Sequence, residues 1–180
     1  NGVKEMLPAI IILILAWSLA EVIEELHTAD YLSSLLSDQL SPHFIPAITF
    51  VLAALIAFST GSSWGTMAIL YPLILPLSWQ VCELSGWEQA ASMSIFLNSV
   101  SAVLAGSVLG DHCSPISDTT ILSSLASDCN HLSHVRTQMP YALTVGTIAV
   151  LVGTLPAAFG SPFWINFPLA VLAIWLVIHF

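Results

Sequence analysis

The stretch GDHCSPISDTT, at residues 110–120, combines two aspartates, a histidine and five hydroxyl or thiol side chains. Pro115 lies in the middle of this stretch and forbids a regular helix through Ser114, because proline has no backbone N–H and restricts the residue before it. We therefore predict that a helix ends here and that the carbonyl groups of residues 109–112 lose their intrahelical partners. Carboxylate, hydroxyl and carbonyl oxygens would then meet at one place, and these are the ligands that hard cations prefer.

The oxygen donors of this stretch predict a site for a cation or a proton. Its carboxylates belong to Asp111 and Asp118, and its neutral donors include Ser114, Ser117 and Thr119. A carboxylate in a low-dielectric site can hold either a proton or a metal ion but not both, and this competition is the elementary chemistry of an antiporter. The alternative is that Asp111 ends one helix and Asp118 caps the next one at the membrane surface.

A second polar stretch, STGSSWGT at residues 59–66, interrupts another apolar region. It contains the G-x-S-x-G pattern of serine hydrolases, with Ser63 as candidate nucleophile and His112 as candidate base. That pattern needs a strand before the serine, whereas the flanks here are apolar runs without strand alternation. We therefore predict that the protein is not an enzyme, and keep an intramembrane serine hydrolase as the alternative from another class. His112 is otherwise a candidate proton partner or a hydrogen-bonded loop histidine.

The composition predicts the surroundings of both stretches. Of the 180 residues, 57% are hydrophobic and only 7% are charged, and the mean hydropathy is +0.91. Soluble domains carry about 25% charged residues. We therefore predict an all-α integral membrane protein, because lipid leaves each backbone amide to be satisfied within its own segment.

The charge balance and the cysteines exclude several classes of partner. The chain has 2 Lys and Arg against 11 Asp and Glu, and its net charge of -9 argues against a nucleic acid partner. Its three cysteines show no C-x-x-C spacing, so neither a disulfide framework nor a zinc site is indicated. We predict no cofactor.

The apolar regions predict a polytopic transporter with two broken or re-entrant helices. Four regions have about the ~20 residues of a single membrane crossing, namely residues 6–26, 90–109, 141–159 and 164–180. The region at 44–79 is too long for one crossing, and its apolar halves are short for two. We predict a helix broken near its middle or a re-entrant hairpin with its tip at 59–66. Pro72 and Pro76 should further weaken regular helix in the second half of this region. Residues 110–120 form the second break.

The region at residues 90–109 is rich in small and polar side chains, which let helices approach closely. Asn98 differs from the serines around it, because an amide buried in lipid needs a hydrogen-bond partner or a ligand. We therefore count Asn98, with His112, among the candidate residues of a substrate cavity.

Two motifs resemble a known family. TGSSWGTMAILYPL at residues 60–73 and GDHCSPISDTTILSS at residues 110–124 closely resemble the signature stretches of the NhaC-type sodium/proton antiporters. The resemblance implies a multi-pass exchanger in the cell inner (plasma) membrane that expels sodium against inward proton movement. Because family members are longer, it also implies that residues 1–180 are the C-terminal portion of a single transmembrane transporter domain whose N-terminal part is missing.

Carried over residue by residue, the resemblance makes Asp111 and Asp118 the candidate ion and proton carriers. It makes Ser114, Ser117 and Thr119 neutral ligands of the ion or residues that stabilise the helix break at 110–120. The residues that it implies on the other side of the same cavity are Ser62, Ser63 and Thr66.

The resemblance leaves the substrate open. Relatives also exchange organic acids, such as malate for lactate, or amino acids. With Lys4 and Arg136 as the only Lys and Arg, we favour sodium and protons as the cargo over an anionic substrate. The predicted partners are the lipid bilayer and the missing N-terminal half, and a homodimer stays open.

Overall fold

The computed structural model describes residues 41–179 continuously, together with residues 11, 14, 15, 18, 19, 21–28, 31 and 32. All regular structure in these ranges is helical, which confirms the all-α class for the described residues. The first predicted span, residues 6–26, lies only partly within them, and its described residues 11, 14, 15, 18, 19 and 21–25 are helical.

Six helices follow a short 3-10 turn at Pro42–Phe44. They are α1 (Ile45–Thr60), α2 (Ser63–Leu84), α3 (Gln89–Cys113), α4 (Asp118–Ala126), α5 (His131–Ile148) and α6 (Phe163–His179). Helix α5 continues through a π-helical segment, Ala149–Thr154, into a last turn at Leu155–Ala158.

Four helices among the described residues are long and apolar enough to cross a membrane. They are Pro42–Thr60, Ser63–Leu84, Gln89–Cys113 and His131–Ala158. Helix α6 is apolar but has 17 residues, which is short for a crossing. Large apolar side chains remain exposed along these helices, for example Leu55 at 61% and Leu104 at 49%. By helix length and composition, the protein is a multi-pass membrane protein.

The structure does not show the broken or re-entrant helix that was predicted at residues 44–79. The region forms two helices instead, of 19 residues with the 3-10 turn and of 22 residues, and each has the length of a crossing. Helix α2 runs through Pro72 and Pro76 without interruption, so the prediction that they weaken it was wrong. Prolines are tolerated in membrane helices because neighbouring groups and local adjustments satisfy the freed carbonyls.

Helices α1 and α3 touch backbone to backbone at two glycines, Gly106 and Gly110. A Cβ atom at Gly106 would overlap the carbonyl oxygen of Phe50, and one at Gly110 would overlap that of Ala54. The four-residue spacing places both glycines on one face of α3, as in small-xxx-small contacts between membrane helices. The small residues of α3 therefore serve close packing here.

Helix α2 completes a three-helix core with α1 and α3. The buried cluster includes Ala53 of α1, Leu70 of α2 and Val103 of α3. The Tyr71 hydroxyl of α2 donates to the Val100 carbonyl of α3 at 3.3 Å. This core fixes the ends of the three helices at which the two polar stretches lie.

Candidate functional site

The two polar stretches meet at one place in the fold, where α1 and α3 end and α2 and α4 begin. The Ser63 hydroxyl donates to the Asp111 carboxylate, with Oγ and Oδ2 3.4 Å apart. The Ser114 hydroxyl donates to the Phe58 carbonyl of α1 at 2.7 Å. Side-chain contacts thereby join the two stretches, although Ser63 and Asp111 are 48 residues apart in the sequence.

The first stretch folds as a tight connection between α1 and α2. Gly61 ends α1 in the left-handed region, with φ of 66°, and its N–H donates to Ala57. Ser62 caps α2, because its hydroxyl accepts from the Gly65 N–H at 3.1 Å. The buried Thr66 donates its hydroxyl to the Ser62 carbonyl at 2.9 Å. Ser62 and Thr66 therefore stabilise the turn that presents Ser63.

The same connection excludes the hydrolase alternative. Ser63 begins α2 and follows the helix α1, whereas a nucleophile elbow needs a strand before its serine.

The second stretch is more helical than predicted. Helix α3 continues through Asp111 and His112 before it ends. The Asp111 carbonyl accepts from the Ser114 N–H at 3.1 Å. The His112 carbonyl accepts from the Gln138 amide at 2.6 Å and from the Thr120 hydroxyl at 3.3 Å. The expectation that all the carbonyls of residues 109–112 would be free for a cation was therefore wrong for two of them.

Asp118 lies in the first turn of α4 and is exposed. A carboxylate is favourable there, because the helix N-terminus carries partial positive charge. The cap position itself belongs to Ser117, whose buried hydroxyl is 2.8 Å from that of Thr119. Asp118 and Asp111 share no hydrogen-bond partner among the described residues, and the carboxylate that contacts the first polar stretch, at Ser63, is that of Asp111.

Asn98 lies outside this site. Its side-chain amide donates to the Thr154 carbonyl, in the π-helical segment that extends α5, at 3.1 Å. It precedes Asp111 by thirteen residues on α3, which corresponds to about 20 Å along the helix axis. The need for a partner was predicted from the sequence, but that partner is a backbone group of the protein.

His112 is exposed and lines an open apolar cavity of about 730 Å³ between α3, α5 and α1. Other lining residues are Phe50, Leu104, Val108, Tyr141 and Gly146. The structure thus places His112 beside a largely apolar surface.

Sequence reasoning missed two residues of α5 that hold the second stretch. The ring Nε2 of His131 donates to the Pro115 carbonyl at 2.6 Å, and Nδ1 lies 3.1 Å from the Ser124 hydroxyl. Gln138 holds the His112 carbonyl from the same helix. Their seven-residue separation is close to two helical turns and places both on one face. This seven-residue spacing is the sequence signal from which the two residues could have been predicted to act together.

No group of three or more His, Cys, Asp or Glu side chains that could hold a metal ion occurs in the described part of the chain. The site instead offers one carboxylate, that of Asp111, with the hydroxyl of Ser63 directly beside it.

Polar side chains that meet at helix ends among apolar helices also occur in secondary transporters. The sequence matches the Na+/H+ antiporter family over residues 1–156, and the chain belongs to this family. The match confirms the family predicted from the two motifs, and it makes the protein a transporter rather than an enzyme.

The chain is also similar to three curated proteins. An uncharacterized protein of Haemophilus influenzae is 46% identical over 158 residues, which cover 88% of this chain and 28% of that protein. The arginine/ornithine antiporter ArcD of Halobacterium salinarum is 35% identical over 105 residues, 48% of this chain and 22% of that protein. The malate-2H(+)/Na(+)-lactate antiporter of Bacillus subtilis is 26% identical over 115 residues, 63% of this chain and 22% of that protein.

The chain spans less than a third of the length of these curated relatives. No solved structure matches it.

Proposed function

We propose that the chain is the C-terminal portion of a secondary active transporter of the cell inner (plasma) membrane that exchanges sodium for protons at Asp111. The observation that carries this proposal is the contact between Ser63 and Asp111, which joins the two polar stretches at one carboxylate. Membership of the Na+/H+ antiporter family supports the same cargo.

The position of Asp111 suits reversible binding of a cation. It lies in the last turn of α3, where the aligned peptide dipoles give the helix end partial negative charge. The Ser63 hydroxyl donates a hydrogen bond to the carboxylate in the described state, and its oxygen lone pairs can turn toward a bound ion. Sodium and a proton each neutralise Asp111, and neutralisation lowers the large cost of moving the site across lipid. Only the sodium-bound and the protonated forms of the site would then move readily between the two sides of the membrane. This restriction couples the sodium flux to the proton flux.

The remaining polar residues have supporting roles in this proposal. Ser114 holds the loop against α1, and Ser117 pairs with Thr119 at the start of α4. The exposed Asp118 attracts cations to this end of the fold. The N-terminal half of the transporter would complete the cavity and cover the open apolar surface beside α5.

A second candidate function is the exchange of organic solutes. It is favoured by the names of two relatives, an arginine/ornithine antiporter and a malate-2H(+)/Na(+)-lactate antiporter. In that case Asp111 would bind the coupling cation, and the rest of the transporter would bind the organic solute.

The test uses everted membrane vesicles that contain the full transporter, with an acid interior followed by a pH-sensitive dye. Sodium should collapse the proton gradient in the wild type, and Asp111→Asn should abolish this response. Asp128→Asn is the matched control, because Asp128 has a positive φ of 49° that asparagine also adopts readily.

The outcomes separate the two candidates. If Asp111→Asn retains the sodium response of the wild type, the site assignment fails. If the wild type responds to sodium only after malate, lactate, arginine or ornithine is added, the organic-solute function replaces sodium/proton exchange.

A further inference from the structure

Two buried hydroxyl groups on α3, those of Ser99 and Ser107, have no hydrogen-bond partner among the described residues. Both serines are 0% exposed. Other serines on the same helix donate to the carbonyl one turn earlier, as Ser101 does to Leu97 at 3.1 Å and Ser92 does to Glu88 at 3.2 Å. A buried hydroxyl group without a hydrogen-bond partner is unfavourable. A polar group that pairs with it therefore contributes more to the free energy of binding than it would by pairing with an exposed hydroxyl.

Ser107 lies one helical turn from Asp111. The four-residue spacing places their side chains on one face of α3, with Cβ atoms about 5–6 Å apart. The next residue on this face, Val103, packs in the buried cluster with Ala53 of α1 and Leu70 of α2. The face that carries Ser107 and Asp111 is therefore directed between α1 and α2, into the three-helix core.

Helix α2 supplies the opposite wall of this part of the core. Helices α2 and α3 run antiparallel, since Ser63 contacts Asp111 and Tyr71 contacts Val100. The interior face of α3 therefore carries a carboxylate and, one turn further from the helix end, a hydroxyl without a partner. The next layer of the core, around Val103, is apolar.

We propose that Ser107 is a ligand of the transported sodium ion, which it holds together with the Asp111 carboxylate. This inference rests on the proposed function. A hydroxyl oxygen is a hard donor suited to sodium, and as a neutral group it adds no charge that must cross the membrane. A proton, by contrast, binds to the carboxylate of Asp111 alone. Ser107 thus favours sodium over the proton at a carboxylate that both of them use.

The test is sodium-dependent exchange by the full transporter in everted vesicles, measured over a range of sodium concentrations for Ser107→Ala and Ser107→Cys. Both variants should raise the half-saturating sodium concentration roughly tenfold, the effect of one lost ligand interaction. The maximal rate at saturating sodium should stay close to that of the wild type. The cysteine variant preserves the side-chain shape but replaces the hard oxygen by a soft sulfur.

Ser99→Ala and Ser99→Cys are the matched controls. Ser99 is equally buried and equally unpaired, but it precedes Asp111 by twelve residues, or about 18 Å along the helix. Its variants should leave the half-saturating sodium concentration unchanged.

Four outcomes overturn the inference, and one of them also overturns its basis. Wild-type sodium dependence in Ser107→Ala shows that Ser107 binds no sodium. Wild-type dependence in Ser107→Cys alone shows that only side-chain volume matters, and equal shifts in the Ser99 variants show a general packing effect. A wild type without any sodium response overturns the proposed function and the ligand role with it.

Discussion

Gly61 is the residue at which the end of α1 meets the loop between α3 and α4, and Gly61→Ala tests whether this contact supports the site. Its φ of 66° is left-handed, and alanine in that region costs about 1–2 kcal/mol. The added Cβ would lie 2.8 Å from Cγ1 of Ile116 and 3.0 Å from its carbonyl, whereas ordinary contact begins at 3.4 Å. Such overpacking costs about 1–3 kcal/mol, so the free energy of unfolding should fall by about 2–5 kcal/mol.

Gly86→Ala separates the two contributions. Gly86 has a similar φ of 71°, but no atom of the described residues lies within 4 Å of the position that an added Cβ would take. This variant should lose about 1–2 kcal/mol from backbone strain alone. The difference between the variants, about 1–3 kcal/mol, therefore measures the contact with Ile116.

The assay is denaturant unfolding of the purified full transporter in detergent, followed by tryptophan fluorescence, together with sodium-dependent exchange in vesicles. Gly61→Ala should also raise the half-saturating sodium concentration, because the loop it displaces begins at Ser114, three residues after Asp111, while Gly86→Ala should not. Equal losses of stability in the two variants, or unchanged exchange in Gly61→Ala, would refute the reasoning that this contact supports the site.

Two further predictions follow from hydrogen bonds and close packing at the site. His131→Ala should slow exchange because the Pro115 carbonyl loses its donor; His131→Gln, which keeps an N–H donor, should restore much of the rate in the same vesicle assay, and His134→Ala should have little effect. Gly110→Ala should lower the free energy of unfolding by about 1–3 kcal/mol, measured by denaturant unfolding, because its Cβ overlaps a carbonyl of α1. Gly153→Ala, with open space around its Cβ position, should be neutral or stabilising, and a similar loss there would contradict the packing argument.

Sequence reasoning reached the helical membrane class because composition alone determines the solvent around most of the chain. Its prediction at Pro72 and Pro76 failed for a related reason. The rule that proline breaks a helix was applied as in water, whereas a membrane helix has no water to satisfy an unwound backbone. The regular helix through both prolines leaves fewer groups unsatisfied than a break would.

The parts of the site that sequence reasoning missed depend on tertiary contacts. Pro115 correctly indicated an end of helix, but no local pattern shows that His131 donates to its carbonyl from another helix. Asn98 was recognised as needing a partner, yet only the packing of α3 against the segment after α5 identifies the Thr154 carbonyl. Local sequence thus indicates which polar groups need hydrogen-bond partners, whereas the fold determines which groups become those partners.

The backbone contact at Gly106 and Gly110 has a mechanical consequence. Where two helices meet at a backbone carbonyl, no side chain lies between them that could repack, and we expect the pair to move as one rigid body. Asp111 follows Gly110 directly and must travel with α1. If Asp111 carries the cation as we propose, its access to the two sides of the membrane should change by movement of other helices around a fixed α1–α3 pair.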